Sequence, residues 1–128
     1  MNIALIANDA RNELMVHFCI AHKRVFKKHT LYSTATTGRL ISEASGLSVN
    51  SFPAHCGGEQ QVSARIVCKE IDLLILFRDP LISDVEKREA EMLHLCDLYN
   101  VRLATNVNTA EMLICGLSHG NRIEYFPF

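Results

Sequence analysis

Leu73-Leu74-Ile75-Leu76-Phe77, closed by Arg78-Asp79-Pro80, is the stretch that decides the fold. Five apolar residues in a row without alternation read as a strand buried on both faces, the form that strands of a parallel sheet take. Pro80 has no N–H and restricts Asp79 before it, so the strand ends sharply. Upstream, Glu59 through Lys69 has helical spacing, with Val62, Ile66 and Val67 expected inward. That helix is entered from a turn-rich loop, Pro53-Ala54-His55-Cys56-Gly57-Gly58, which follows a weak strand at Val49 to Phe52. Downstream, Asp84 to Asn100 is a charged amphipathic helix with Met92, Leu95 and Leu98 inward. A strand at Val101 to Thr105, a helix at Thr109 to Leu117 and an extended tail at Arg122 to Phe128 follow.

The first third repeats the alternation. Ile3 to Ala7 is a short apolar run ending at Asn8-Asp9. Asn12 to Lys28 places Leu14, Met15, Phe18, Ala21, Val25 and Phe26 at helical spacing. Leu31-Tyr32-Ser33 is a strand, and Leu40, Ile41 and Ala44 carry a short helix that Gly46 ends as a C′ residue. Strands alternating with helices in this way predict an α/β fold: a single doubly wound domain spanning residues 1–128, with a five-stranded parallel sheet and helices on both faces.

Composition narrows the function classes. The chain has 128 residues, 48% hydrophobic and 21% charged, with 13 Lys+Arg against 14 Asp+Glu and a net charge of −1. Neither sign dominates, so neither a nucleic-acid nor a membrane partner is expected. The one basic cluster, His22-Lys23-Arg24 with Lys27-Lys28-His29, suits the end of a helix. Five widely spaced cysteines without a CxxC, four of them in apolar surroundings, read as buried reduced thiols and not as disulfides or a metal site. The opening MNIALIAND has no charged leader, and no apolar run reaches the ~20 residues of a bilayer span, so a cytoplasmic protein is expected.

Open parallel sheets bind ligands at the carboxyl ends of their strands, so the segments just after each strand are the candidates. Thr34-Ala35-Thr36-Thr37-Gly38 offers hydroxyls and helix-start N–H groups, a ready phosphate site. A plain N-cap at Thr36 or Thr37 explains the same residues more simply, and no P-loop lysine is present. Gly57-Gly58 permits close backbone approach to a ligand, and Glu59 either serves there or merely complements the helix dipole. His55 and Cys56 are adjacent but lack a third partner, which speaks against a cysteine nucleophile. Asp9 and Asp79 each end a strand; either could fix its own loop, yet together with Glu59, the threonines and the glycines they form one polar rim.

As a set, these residues resemble the methylglyoxal synthase family over nearly the whole chain. The motifs are Ile3-Ala4-Leu5-Ile6-Ala7-x-Asp9, Leu31-Tyr32-x-Thr34-x-Thr36-Thr37-Gly38, Gly57-Gly58-x-Gln60-Gln61-Val62, Asp79-Pro80-Leu81 and Ala104-Thr105-Asn106-Val107-x-Thr109-Ala110. The resemblance implies conversion of dihydroxyacetone phosphate to methylglyoxal and phosphate through an enediolate, without metal or organic cofactor, by a homohexamer. It implies phosphate contacts at Thr34, Thr36 and Thr37, with Ala35 and Gly38 in the same turn and Pro53 and Ala54 on the facing loop. The departures are specific: Asn8 stands for a family His, Asn12 for a phosphate-binding Lys and Glu59 for the catalytic Asp. A Pro-His-x-Pro-Asp stretch is replaced by Ile82-Ser83-Asp84-Val85-Glu86-Lys87-Arg88. Two readings stand: a divergent synthase in which Glu59 is the base and His55 the electrophile, or a silent module of the same fold that binds a small phosphorylated metabolite.

Overall fold

In the computed structural model, which describes residues 1–52, 58–81 and 87–118, the chain runs β1 (Asn2–Ala7), a 3-10 turn (Asp9–Arg11), α1 (Asn12–Ala21), α2 (Lys23–Phe26), β2 (Thr30–Thr34) and α3 (Ala35–Ser45). It continues through β3 (Val49–Phe52), α4 (Gly58–Val67), β4 (Leu73–Phe77), α5 (Lys87–Tyr99), β5 (Arg102–Ala104) and α6 (Val107–Ser118). The strands form one five-stranded parallel sheet in the order β3-β2-β1-β4-β5. Ile3 pairs with Leu31 on one side and Leu73 on the other, so β1 is the sheet's centre and the apolar run Leu73–Phe77 lies directly beside it. The tail at Arg122 to Phe128 lies outside the described residues.

Alternate residues of the central strands feed two cores. Ile3, Leu5, Leu73, Ile75 and Phe77 face Met15, Phe18 and Cys19 of α1, Phe26 of α2, Ile41 of α3 and Ile114 of α6. Ala4, Ile6, Leu74 and Leu76 face Val62 and Ile66 of α4 and Met92 and Cys96 of α5. Each such buried Leu, Ile, Val, Met or Phe side chain contributes about 1.5–3 kcal/mol relative to exposure. Phe18 meets Phe77 edge-on, with centroids 5.5 Å apart. The helices therefore cover both faces, and the reversal of strand order falls between β1 and β4.

Helix ends account for several boundaries. Gly46 follows α3 at φ 77°, the left-handed conformation that a Cβ disfavours. Lys69, at φ 61°, takes the same role after α4. Its N–H bonds the Ile66 carbonyl at 2.9 Å and that of Glu70 the Arg65 carbonyl at 2.8 Å, a Schellman pattern. Arg65 and Glu70 close it with an ion pair at 3.2 Å.

Some expectations need correction. The helix expected over Asn12 to Lys28 breaks at His22 into α1 and α2. Ala21 is exposed, and so are Val67 (46%) and Leu98 (63%), because each lies at the C-terminal end of its helix, where the apolar face has turned away from the sheet. Helix α3 starts at Ala35, so the N-cap is Thr34 and not Thr36 or Thr37. Only Cys19 and Cys96 of the described cysteines are buried; Cys68 and Cys115 are exposed.

Burial pushes the Cys19 thiol up to about 12 and the Cys96 thiol to about 11, the latter aided by Asp97. Reactivity follows the thiolate fraction and access. In the native protein at pH 8, Cys68 and Cys115 should react with a thiol reagent within minutes. Cys19 and Cys96 should react only on denaturation, as peptide mapping of the labelled sites would show; native labelling of Cys19 would contradict the packing described.

Candidate active site at the carboxyl edge of the sheet

Asn8 leaves β1 in extended conformation, φ −66° and ψ 157°. Its N–H donates to the Phe77 carbonyl at 3.1 Å, which continues the β1–β4 pairing one residue beyond the strand. The Asn8 Oδ1 is buried and has no hydrogen-bond partner among the described residues. Asp9 is exposed and opens the 3-10 turn that leads into α1. Arg78 stands beside Asn8 at the end of β4, half-buried, and makes no ion pair among the described residues. Asp79 Oδ1 accepts the Leu81 N–H at 2.9 Å, so this carboxylate ties its own turn.

The neighbouring strand ends in the threonine turn. Thr34 is half-buried at the N-cap of α3, and its hydroxyl makes no capping bond. Ala35, Thr36 and Thr37 form the first turn, whose N–H groups have no partner within the helix. Thr36 is exposed, whereas Thr37 is buried and its hydroxyl donates to Asn12 Oδ1 at 2.6 Å. That bond joins the start of α1 to the start of α3 and leaves the Asn12 amide nitrogen as its remaining donor. A Cβ on Gly38 would come within 2.5 Å of Ser51 Oγ, so glycine lets α3 lie close upon β3. Below the turn, Ser33 Oγ donates to the Leu5 carbonyl at 2.6 Å and fixes β2 to β1.

Gly58 and Glu59 open α4, the helix that carries the chain back across β1 to β4. The remaining expected site residues, Pro53, Ala54, His55 and Gly57, lie outside the described residues. A cavity of about 600 Å³ between α1 and α3 includes Asn12 but is walled by Asp9, Glu13 and Glu43. Three carboxylates repel an anion, so that groove does not favour one, whereas the start of α3 presents backbone N–H groups without helical partners. Asn106 Oδ1 accepts the Thr109 N–H at 3.0 Å, which accounts for the Ala104-Thr105-Asn106 motif as the cap of α6. Among the described residues no group of three His, Cys, Asp or Glu could hold a metal ion.

The structure thus brings Asn8, Asp9, Asn12, Asp79 and the Thr34–Gly38 turn to one edge. Sequence reasoning passed over Arg78 as a candidate, although an arginine directly after a buried strand and before Asp-Pro was the available signal. The bond from Thr37 to Asn12 had no sequence signal, since the two residues are 25 apart and meet only because α1 packs on α3.

Strand order, helix placement and this edge define an open parallel α/β domain whose helix start at β2 suits a small anionic ligand. The MGS-like domain family matches residues 15–105. A methylglyoxal synthase of Caldicellulosiruptor saccharolyticus is 51% identical over 123 residues, covering 94% of this chain and 87% of that protein. One from Thermoanaerobacter sp. (strain X514) is 47% identical over 122 residues, covering 94% and 92%. The crystal structure of methylglyoxal synthase from Elizabethkingia anophelis NUHP1 superposes with a TM-score of 0.78 at 33% identity, over 88% of this chain and 76% of that one. The chain belongs to the methylglyoxal synthase family and carries its MGS-like domain.

The coupling of Thr37 to Asn12 can be measured. In a urea-denaturation double-mutant cycle, Thr37→Val and Asn12→Ala should show a coupling of about 0.5–1.5 kcal/mol, the worth of one hydrogen bond. Strict additivity of the two substitutions would contradict the bond.

Proposed function

We propose that this protein is a methylglyoxal synthase: it converts dihydroxyacetone phosphate to methylglyoxal and inorganic phosphate. The observation that carries the reading is the likeness to proteins named methylglyoxal synthase, about half of the aligned positions over 94% of the chain. The whole of residues 1–128 acts as one domain of a homo-oligomer, a hexamer in the family's manner, in the cytoplasm. No described helix is long and apolar enough to cross a membrane.

In this reading the ester phosphate is held at the start of α3, by the N–H groups of the first turn and the hydroxyls of Thr34 and Thr36, and Pro53 and Ala54 contribute contacts as the family resemblance implies. Unpartnered N–H groups at a helix start favour an anion without a lysine. The Asn12 amide nitrogen, oriented by Thr37, adds a neutral donor at the position of the family's cation. Glu59 is the base. As the second residue of α4, it lies where the helix dipole favours an ionised carboxylate. It takes a proton from the hydroxyl-bearing carbon beside the carbonyl, and the electron pair moves to the carbonyl oxygen as an enediolate. His55 as a neutral imidazole donates to that oxygen, as the histidine of triosephosphate isomerase does in a well-known parallel. The enediolate then expels phosphate by breaking the C–O bond, and the resulting enol tautomerises to methylglyoxal. Asp9 and Asp79 flank this edge; Asp79 already anchors its turn through Leu81.

The test is a timed incubation with dihydroxyacetone phosphate, assaying phosphate and methylglyoxal separately. Wild type should release the two in equal amounts. Glu59→Gln should lower the rate by about 10²–10⁴, the range for removing a general base, and His55→Ala should remove most of it. His94→Ala, on the exposed side of α5, should leave it unchanged. No release by wild type, or an unaffected Glu59→Gln, would overturn the proposal.

A further inference from the structure

Arg78 follows β4 directly, and the bond from the Asn8 N–H to the Phe77 carbonyl, 3.1 Å, carries the β1–β4 ladder up to it. Ala4 and Ile6 of β1 and Leu74 and Leu76 of β4 belong to the core beneath α4 and α5. Asn8 and Arg78 are the next positions in those two alternating series, which places them side by side on the face where α4 and Glu59 begin. Strand order reverses at the same point. Arg78 is half-buried and has no ion-pair partner among the described residues. Arg65, by contrast, is paired with Glu70 at 3.2 Å and lies over the Tyr32 ring at 4.8 Å. Arg11 lines a separate groove with Glu13, Leu14 and His17. A half-buried cation gives up hydration that an anion must replace.

The chemistry of the reaction names that anion. A phosphate at the start of α3 sits beyond β2, and β1 lies between β2 and β4. Two strand spacings of about 4.8 Å separate that point from Arg78, so the far end of a three-carbon ester, and not its phosphate, reaches the guanidinium. When Glu59 removes the proton from carbon, the C–H electron pair forms a C=C bond and the carbonyl π pair moves onto oxygen. The enediolate then carries two oxygens on adjacent trigonal carbons, coplanar when cis. A guanidinium presents two parallel N–H groups in one plane and matches such a pair as a fork, as it does a carboxylate. We propose that Arg78 is a catalytic residue whose guanidinium holds both oxygens of the enediolate. Arg78 stays protonated throughout, and no bond to it forms or breaks. It fixes a positive charge where negative charge develops, beside the neutral imidazole of His55 and against the carboxylates of Asp9 and Asp79. The inference rests on the reading above, because it takes the ester phosphate to lie at α3 and Glu59 to be the base.

Steady-state rates with dihydroxyacetone phosphate and calorimetry with inorganic phosphate, both on the full chain, test it. Arg78→Gln should lower kcat by about 10²–10³, the cost of removing one donor from a developing oxyanion, while the affinity for inorganic phosphate stays as in wild type. Arg78→Lys keeps the stem and the charge but loses the fork, and it should lose kcat with the same unchanged phosphate affinity. Methylguanidinium ion should recover part of the lost kcat of Arg78→Ala in a saturable way, and methylammonium should not, a result that a structural role does not give. Undiminished kcat in Arg78→Gln overturns the proposal alone and leaves the proposed function standing. An Arg78→Lys protein that loses phosphate affinity in proportion to kcat/KM, at unchanged kcat, also overturns it, because the cation then serves the phosphate. So does an Arg78→Ala protein that methylguanidinium does not restore. Should wild type bind phosphate yet release no methylglyoxal, the proposed function falls and this proposal with it.

Discussion

The pairing of β1 on both sides is the constraint on which the rest depends. Ile3 to Ile6 are buried on both faces, and β2 and β4 run parallel to them. A parallel neighbour requires a crossover, and crossovers in one sheet are right-handed. With β2 and β3 placed on one side, α1 and α3 must cover one face; with β4 and β5 on the other, α4 and α5 must cover the opposite face. The crevice between the two helix layers exists only because strand order reverses at β1. Every polar group of the candidate site follows a strand end because this arrangement delivers strand ends to one edge.

At that edge two neutral amides stand among the carboxylates of Asp9 and Asp79. Asn8 and Asn12, which the family resemblance sets against a histidine and a lysine, are held differently in the structure. Asn12 is engaged: Thr37 binds its oxygen, so its orientation is set from α3. The Asn8 side-chain oxygen is buried and has no hydrogen-bond partner among the described residues. Charge-assisted hydrogen bonds are roughly twice as strong as neutral ones, so under the proposed function a phosphate here would depend more on the helix-start N–H groups than on these side chains. The acidic groove between α1 and α3 lies close by and has the wrong sign for the same ligand.

Much of the fold could be read from the sequence because its signals are local. Two unalternating apolar runs, Ile3 to Ala7 and Leu73 to Phe77, marked the buried central strands, the regular alternation with helices marked the other three, and Gly46 ended its helix as expected. Strand order was not legible, since it depends on how the α4 crossover returns past β1, which no local pattern states. The exposure of Val67 and Leu98 was misjudged because helical spacing identifies a stripe but not where along the helix the sheet stops beneath it. Lys69 in a left-handed conformation has no sequence mark; a glycine would have shown it. Within the candidate site, the motifs located the threonine turn and the start of α4. The state of each polar atom was not legible: whether Thr37 is free, whether Asp79 is tied or whether Asn8 is paired is set by packing between distant segments.

The most direct measurement of the central claim, that phosphate is received at the sheet edge where α3 begins, is a titration of the isotope-labelled protein with inorganic phosphate followed by amide NMR. The account predicts that the largest shifts fall on the amides of Ala35, Thr36 and Thr37 and, across the crevice, on Gly58 and Glu59, while Glu13, His17 and Glu43 in the acidic groove stay unmoved. Shifts confined to that groove, or to the basic segment Lys23–His29, would contradict it.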